Sequence, residues 1–182
     1  MGASQMNKIY AGVGARKTPP EVLYQMYDIA GDLACKGYTL RSGGAEGADE
    51  FFYKGAGALA GSWEIFLPKE RFRGFISRVF GNGSFITHEI SPEAYKMAEE
   101  LLGPSHWANL GEYKCFHARN CHQVLGANLD SPVDFVLCWT PGGATTGGTA
   151  TAIKLAKKYG IPVINMATKE WLQRLETHLT SK

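Results

Sequence analysis

No stretch of this chain stays apolar for the roughly 18–20 residues that a membrane-spanning helix needs, so no spanning helix and no membrane partner are expected. Neither sign of charge is in excess. Nineteen Lys and Arg face 17 Asp and Glu, leaving a net charge of +2. That balance does not announce a nucleic-acid binder, and any anion site has to be local. Cysteine is scarce. Cys35, Cys115, Cys121 and Cys138 form no CxxC pair, and reduced, mostly buried thiols are expected. The N-terminal MGASQMNKIY lacks the apolar core of a secretory signal, so residues 1–7 read as a flexible leader and the location as cytoplasmic. Repeats, low-complexity tracts and linkers are also missing. The 182 residues suit one domain, read here as residues 1–182.

What the chain does have is glycine, 22 residues of it, placed at the ends of β-like runs. KIYAGVGAR starts as a strand from Ile9 to Val13 and ends in glycines. A helix follows, with Val22, Leu23, Met26, Ile29, Ala30 and Leu33 at helical spacing behind Pro19 and Pro20. YTLRSGG is a second strand and turn, GADEFFYKGAGALAG a short helix, and SWEIFLP a third strand. RFRGFISRVFGNGSF mixes bases, aromatics and glycines and reads as an irregular excursion. SPEAYKMAEELLG is a helix capped by Ser91 with Pro92 in its first position. GEYKCFHARNCHQVLGANL is another helix, DFVLCW a strand, GGTATAIKLAKKYG a helix, and IPVINM a strand. TKEWLQRLETHL is a terminal helix capped by Thr168. Alternating strands and helices predict an α/β fold: a Rossmann-like, doubly wound, mostly parallel sheet with helices on both faces.

In such a sheet, ligands sit outside the carboxyl ends of the strands. Three glycine clusters fall there: Gly12 and Gly14, then Gly43, Gly44 and Gly47, then Gly142, Gly143, Gly147 and Gly148. A helix N-terminus offers free N–H groups and the positive end of the dipole, and glycine lets a phosphate approach that backbone. Glycines could equally do no more than make tight strand–helix turns. Ser42, Thr146, Thr149 and Thr151 are candidate hydroxyl donors. Arg16, Arg41 and Arg119 are candidate anion clamps, because the guanidinium fork pairs with phosphate oxygens in a bidentate way. Lys69 and Arg71 are further basic candidates. Asp49, one turn into the helix after SGGA, either accepts from a ribose or satisfies loop N–H groups. Glu46 is the carboxylate placed to act as a nucleophile or to stabilise an oxocarbenium-like centre, or else is an exposed loop acid. Glu89 is a second such candidate. Cys115, His117, Cys121 and His122 cluster without the spacing of a zinc knuckle, so no metal is expected and no motif asks for a cofactor. His117, beside Arg119 and Asn120, is a candidate general acid or hydrogen-bond donor facing a nucleotide pocket. Trp107 and Trp139 are core residues by default and candidate stacking platforms otherwise.

The order of these blocks resembles the Rossmann-type superfamily that joins DNA-processing protein A (DprA/Smf) to the LOG nucleotide phosphoribohydrolases. GAR at Gly14–Arg16 resembles the DprA GSR. SGGAEGAD at Ser42–Asp49 resembles its SGGAxGID, FHARN at Phe116–Asn120 its FPxRN, and TGGTATAIKLAKKYGIPV its closing block. The resemblance covers roughly residues 8 to 166, and more narrowly HARNCHQVLG with GGTATAI resembles small DprA-like proteins of phage genomes. Cys121 stands where DprA has a second arginine, and no acid stands where LOG enzymes carry their catalytic glutamate.

The resemblance implies binding of a phosphate-bearing nucleotide at the strand edge, either single-stranded DNA or a free nucleotide. Its ligand set would be Gly14, Arg16, Arg41, Ser42, Gly43, Gly44, His117, Arg119, Asn120, Gly147, Gly148 and Thr149. A homodimer would extend the track along a strand. An alternative is N-glycosidic cleavage of a nucleoside monophosphate or NAD-like nucleotide, with Glu46 or Asp49 as the catalytic carboxylate. A third is a nucleotide sensor or sponge without turnover.

Overall fold

The structure, a computed structural model, describes residues 8–181, so the expected leader at residues 1–7 lies outside the described residues. The strands are β1 (Ile9–Gly14), β2 (Thr39–Ser42), β3 (Trp63–Phe66), β4 (Arg78–Val79), β5 (Phe85–Thr87), β6 (Phe135–Trp139) and β7 (Val163–Asn165). The helices are α1 (Pro20–Cys35), α2 (Ala48–Ala58), α3 (Pro92–Leu102), α4 (Pro104–Ala108), α5 (Lys114–Leu125), α6 (Ala150–Lys158) and α7 (Trp171–Thr180). One sheet runs in the order β4-β5-β3-β2-β1-β6-β7. Every pairing is parallel except that of β4 with β5. This is the doubly wound α/β architecture that the alternation predicts.

Strand β1 shows why the two faces are covered. Its side chains alternate with period two. Ile9, Ala11 and Val13 face a core built with α3 to α6, while Tyr10 faces a second core built with α1, α2 and α7. Tyr10 stacks on Phe135 and meets Tyr38 and Phe52 edge-on. Burying rings of this size stabilises the fold by about 1.5–3 kcal/mol each. Gly12, on the same face, is where the ring of Phe52 rests: a Cβ there would come within 2.7 Å of it.

The chain leaves β1 towards β2 and β3 on one side, and β6 and β7 lie on the other. The sheet therefore has its switch point between β1 and β6, where Gly14 pairs with Trp139 and the Ala15 amide donates to the Trp139 carbonyl at 3.2 Å. The two strands' outgoing loops part there and open a crevice.

Three sequence expectations need correction. The excursion after β3 contains a hairpin, β4 and β5, whose second strand extends the parallel sheet beside β3. Its strands are two and three residues long, too short to leave a period in the sequence. A short helix, α4, follows α3 because Gly103 takes a φ of +86° and Pro104 then restarts the helix. The terminal helix starts at Trp171 behind Glu170. Thr168 does not cap it, because its hydroxyl is spent on the Asn165 carbonyl at 2.8 Å. Ser91 does cap α3, accepting from the Ala94 amide at 3.2 Å. Among the described residues no helix is long and apolar enough to cross a membrane.

Candidate functional site

A cleft of about 710 Å³ opens at the β1/β6 switch point. That is the size of a small-molecule site. Val13, Gly14, Ala15 and Arg16 supply one wall from the end of β1. Thr145 to Ala150 supply another from the loop into α6, joined by Lys154. The helix α5 supplies the third, with Phe116, His117, Arg119, Asn120 and Gln123 on one face at helical spacing.

The glycine clusters do different work. The first two are filled from within the protein. A Cβ on Gly14 would meet the Ala48 methyl at 2.5 Å, and one on Gly43 would fall inside the Arg119 guanidinium. Gly44, at φ +65°, lies against Leu67 and Phe75. Gly147 and Gly148 differ. Nothing lies within 4 Å of a Cβ built on either, both are exposed, and both line the cleft.

The two helix N-termini at this edge differ in the same sense. The first turn of α2 carries its own anion: Asp49 is buried and accepts from the amides of Ala45 and Gly43. Arg119 Nη1 lies 3.6 Å from Asp49 Oδ2 and donates to the Phe66 carbonyl at 3.2 Å. Burial pushes the Asp49 carboxyl above its ordinary range, against the pull of Arg119 and the loop amides. The α2 terminus is thus neutralised internally. Helix α6 has no acidic residue in its first turn, and Thr149, in the capping position, makes no side-chain cap bond. Its positive end is open to the cleft.

Arg16 is exposed at the rim and lines the cleft. Asn120 donates from Nδ2 to the Gly148 carbonyl at 2.5 Å, fixing the glycine turn against α5. His117 is buried, with Nδ1 2.8 Å from Thr151 Oγ1. Burial, and then the neighbouring charges of His106, Arg119 and Lys154, hold its imidazole below the ordinary value. It is therefore neutral near pH 7.

Other sequence candidates fall elsewhere. Arg41 lies within β2, buried, with Nε paired to Glu64 and Nη1 and Nη2 donating to the Ser131 carbonyl and hydroxyl. It ties β2 and β3 to the chain ahead of β6 and does not line the cleft. Ser42 donates to the Gly12 carbonyl at 2.7 Å and is fully buried. Glu46 is exposed and Glu89 lines a separate groove, so of the three candidate carboxylates the cleft holds Asp49. Lys69 and Arg71 are exposed beyond the end of β3, in a segment whose Phe72 packs edge-on against Phe116. Trp107 is buried against Tyr95 and Lys114, and Trp139 packs on the core with α1, α2 and α7. The aromatic rings at the cleft are instead Tyr113, 56% exposed, and Phe116. The sequence reading missed Tyr113, Gln123 and Lys154; helical spacing from Arg119 and Asn120 would have pointed to Gln123. Cys121 is buried and its thiol is pushed up to about 12 by burial. His122 is held by Ser91 and Gly126, so the Cys/His cluster does not converge on one point. Among the described residues no group of three or more His, Cys, Asp or Glu could hold a metal ion.

No protein-family model matches the chain, and no curated relative matches it. Solved structures do match. DNA processing protein A of Helicobacter pylori superposes with a TM-score of 0.53 at 18% identity, over 90% of this chain and 68% of its own. The same protein of Streptococcus pneumoniae gives 0.53 at 15% identity, over 95% of this chain and 56% of its own. The molybdenum cofactor binding protein of Rippkaea orientalis gives 0.57 at 23% identity, over 98% and 87%. The chain shares the Rossmann-like α/β fold of these proteins. Within that DprA-like fold, the SGGA loop, the ARN segment of α5 and the glycine turn before α6 meet around one cleft. At these identities the likeness extends to the fold and not to the ligand.

Proposed function

We propose that the cleft binds a phosphate-bearing nucleotide, with the phosphate at the open N-terminus of α6. The observation that carries this reading is the contrast between the two helix ends. That of α2 is filled by Asp49 and Arg119, whereas Gly147 and Gly148 before α6 leave their space free. The Ala150 amide that opens α6 donates to the Gly147 carbonyl, so an anion there meets the amides of the glycine turn itself and gains the helix dipole, with Arg16 across the cleft and Lys154 beside it. Tyr113 and Phe116 offer rings for stacking a base. The bonds that hold Asp49 to Arg119 and the loop amides, and the exposure of Glu46 outside the cleft, support binding rather than N-glycosidic cleavage.

A second reading is that this nucleotide is one unit of a single strand, since the Helicobacter pylori neighbour binds single-stranded DNA. The exposed Lys69 and Arg71, in the segment whose Phe72 packs against Phe116, support a path by which a strand would leave the cleft. Thermal unfolding against nucleoside monophosphates, NAD, the molybdenum cofactor and a dT oligomer, each at low and high salt, separates the readings. A ligand present at 100 times its dissociation constant adds about 2.7 kcal/mol. A shift with a monophosphate supports the small-ligand reading. A shift confined to the oligomer and lost in high salt supports the strand. No shift with any phosphate-bearing probe contradicts both.

A further inference from the structure

Among the described residues, one polar side chain at the cleft has no hydrogen-bond partner. Gln123 is 1% exposed, and neither its Nε2 nor its Oε1 has a hydrogen-bond partner. Buried polar atoms are almost always paired, and leaving both ends of an amide unmade is costly. Its neighbour on the same helical face, Arg119, is in a similar state: Nη1 is used, but the buried Nε is not. Both residues line the cleft. Two orphan groups, one turn apart on one face, point to a ligand that completes them.

The nature of the orphans narrows that ligand. A carboxamide offers one acceptor and two donors side by side, which does not suit a phosphate. It matches the edge of a flat nitrogen heterocycle that carries a donor next to an acceptor. Side-chain amides read nucleobases by this bidentate pairing. The lining of the same cleft suits the body of such a ring, since Leu102, Leu110 and Phe116 are apolar. The phosphate end proposed above lies at Gly147 and Gly148 on a different wall, and Asn120, bonded to the Gly148 carbonyl, stands between the two on α5.

We infer that Gln123 is the specificity-determining residue of the cleft, hydrogen-bonding the donor–acceptor edge of the ligand's heterocycle. This rests on the phosphate-nucleotide reading and names its second half. Nucleobases and pterins both carry such an edge, so both rings belong in the test.

Gln123→Met keeps the length of the side chain and removes both polar ends. Affinities of wild type and variant are measured by calorimetry for AMP, GMP, UMP and CMP, for neopterin phosphate, and for ribose 5-phosphate as the ring-free control. The expected result is a loss of about tenfold or more for at least one ring-bearing probe, with ribose 5-phosphate unchanged. The probe most affected identifies the ring. The free variant should unfold at the same or a higher temperature than wild type, because two unpaired buried atoms have gone. In the wild type, the Gln123 side-chain amide resonances, assigned by their loss in the variant, should move with that ring-bearing probe and stay with ribose 5-phosphate. Ring-bearing probes that bind both proteins equally overturn the role of Gln123 and leave the phosphate site standing. A variant that unfolds at a markedly lower temperature also overturns it, by placing the amide's partners inside the protein. Failure of every probe, ribose 5-phosphate included, to bind the wild type removes both proposals together.

Discussion

The guanidinium of Arg119 occupies the space in which a side chain on Gly43 would have to stand. The tight glycine turn after β2 is therefore filled by the protein's own cation, which reaches in from α5 and pairs with Asp49 on α2. Two segments far apart in sequence, the turn from β2 into α2 and the helix α5, are locked together at that point.

Gly43→Ala should cost about 1–3 kcal/mol through overpacking against Arg119. In an Arg119→Ala background the same change should cost far less, since the obstructing group is gone. Urea unfolding of the four proteins gives the coupling directly, and a coupling of about 0.5–3 kcal/mol is expected. Additive costs would mean that the two residues do not share this space.

Arg16 and Arg41 should separate into a binding residue and a structural one. Arg16 is exposed at the cleft, so Arg16→Ala should leave stability within about 0.5 kcal/mol. It should weaken nucleotide binding about tenfold or more, the loss of a charge-assisted hydrogen bond. Arg41→Ala strands Glu64 and the Ser131 carbonyl and should cost about 2–4 kcal/mol. The affinity of the protein that remains folded should not change. Denaturation curves and titrations on the same two variants check both halves.

Acid stability should follow the histidines of α5. Burial holds His117 and His122 below their ordinary value of 6.5. Between the depressed folded values and about pH 6.5 the unfolded chain binds more protons, so stability is full above that pH and falls as pH drops through the window. Asp49 acts with the opposite sign. Its folded value lies above 3.8, so its protonation stabilises the fold as pH falls through that raised value. His122 Nε2 accepts from the Ser91 amide, and protonation would remove that acceptor. His122→Gln can still accept there and no longer titrates, so its unfolding midpoint should vary less between pH 7.5 and 5.5 than that of the wild type. An unchanged profile would place the titrating group elsewhere.

The regular elements were legible because period and punctuation agree in them. β1 is a short apolar run that ends in glycines, α3 starts at Ser91 and Pro92 and ends at Gly103, and α6 ends at a glycine. The β4–β5 hairpin was not legible, since strands of two and three residues carry no period. At the site, the sequence placed Arg16, Asp49, His117, Arg119, Asn120, Gly147, Gly148 and Thr149 near one edge, and the structure brings them to one cleft. Arg41 was misplaced, because a basic residue near a strand end looks alike whether it faces a ligand or a buried Glu64. The role of Gly43 was hidden for a related reason: a glycine that makes room for an arginine cannot be told, in sequence, from one that makes room for a phosphate.

The most direct test of the phosphate site is nucleotide titration of Gly148→Asp beside the wild type. A Cβ at this position meets nothing within 4 Å and its φ is ordinary, so the variant should fold with an unchanged unfolding midpoint. Its carboxylate would stand where the phosphate is proposed to sit. The account predicts that nucleoside monophosphates bind the wild type and lose about tenfold or more with Gly148→Asp, through like-charge repulsion at the α6 terminus. Equal affinity for the two proteins would contradict the placement of the phosphate.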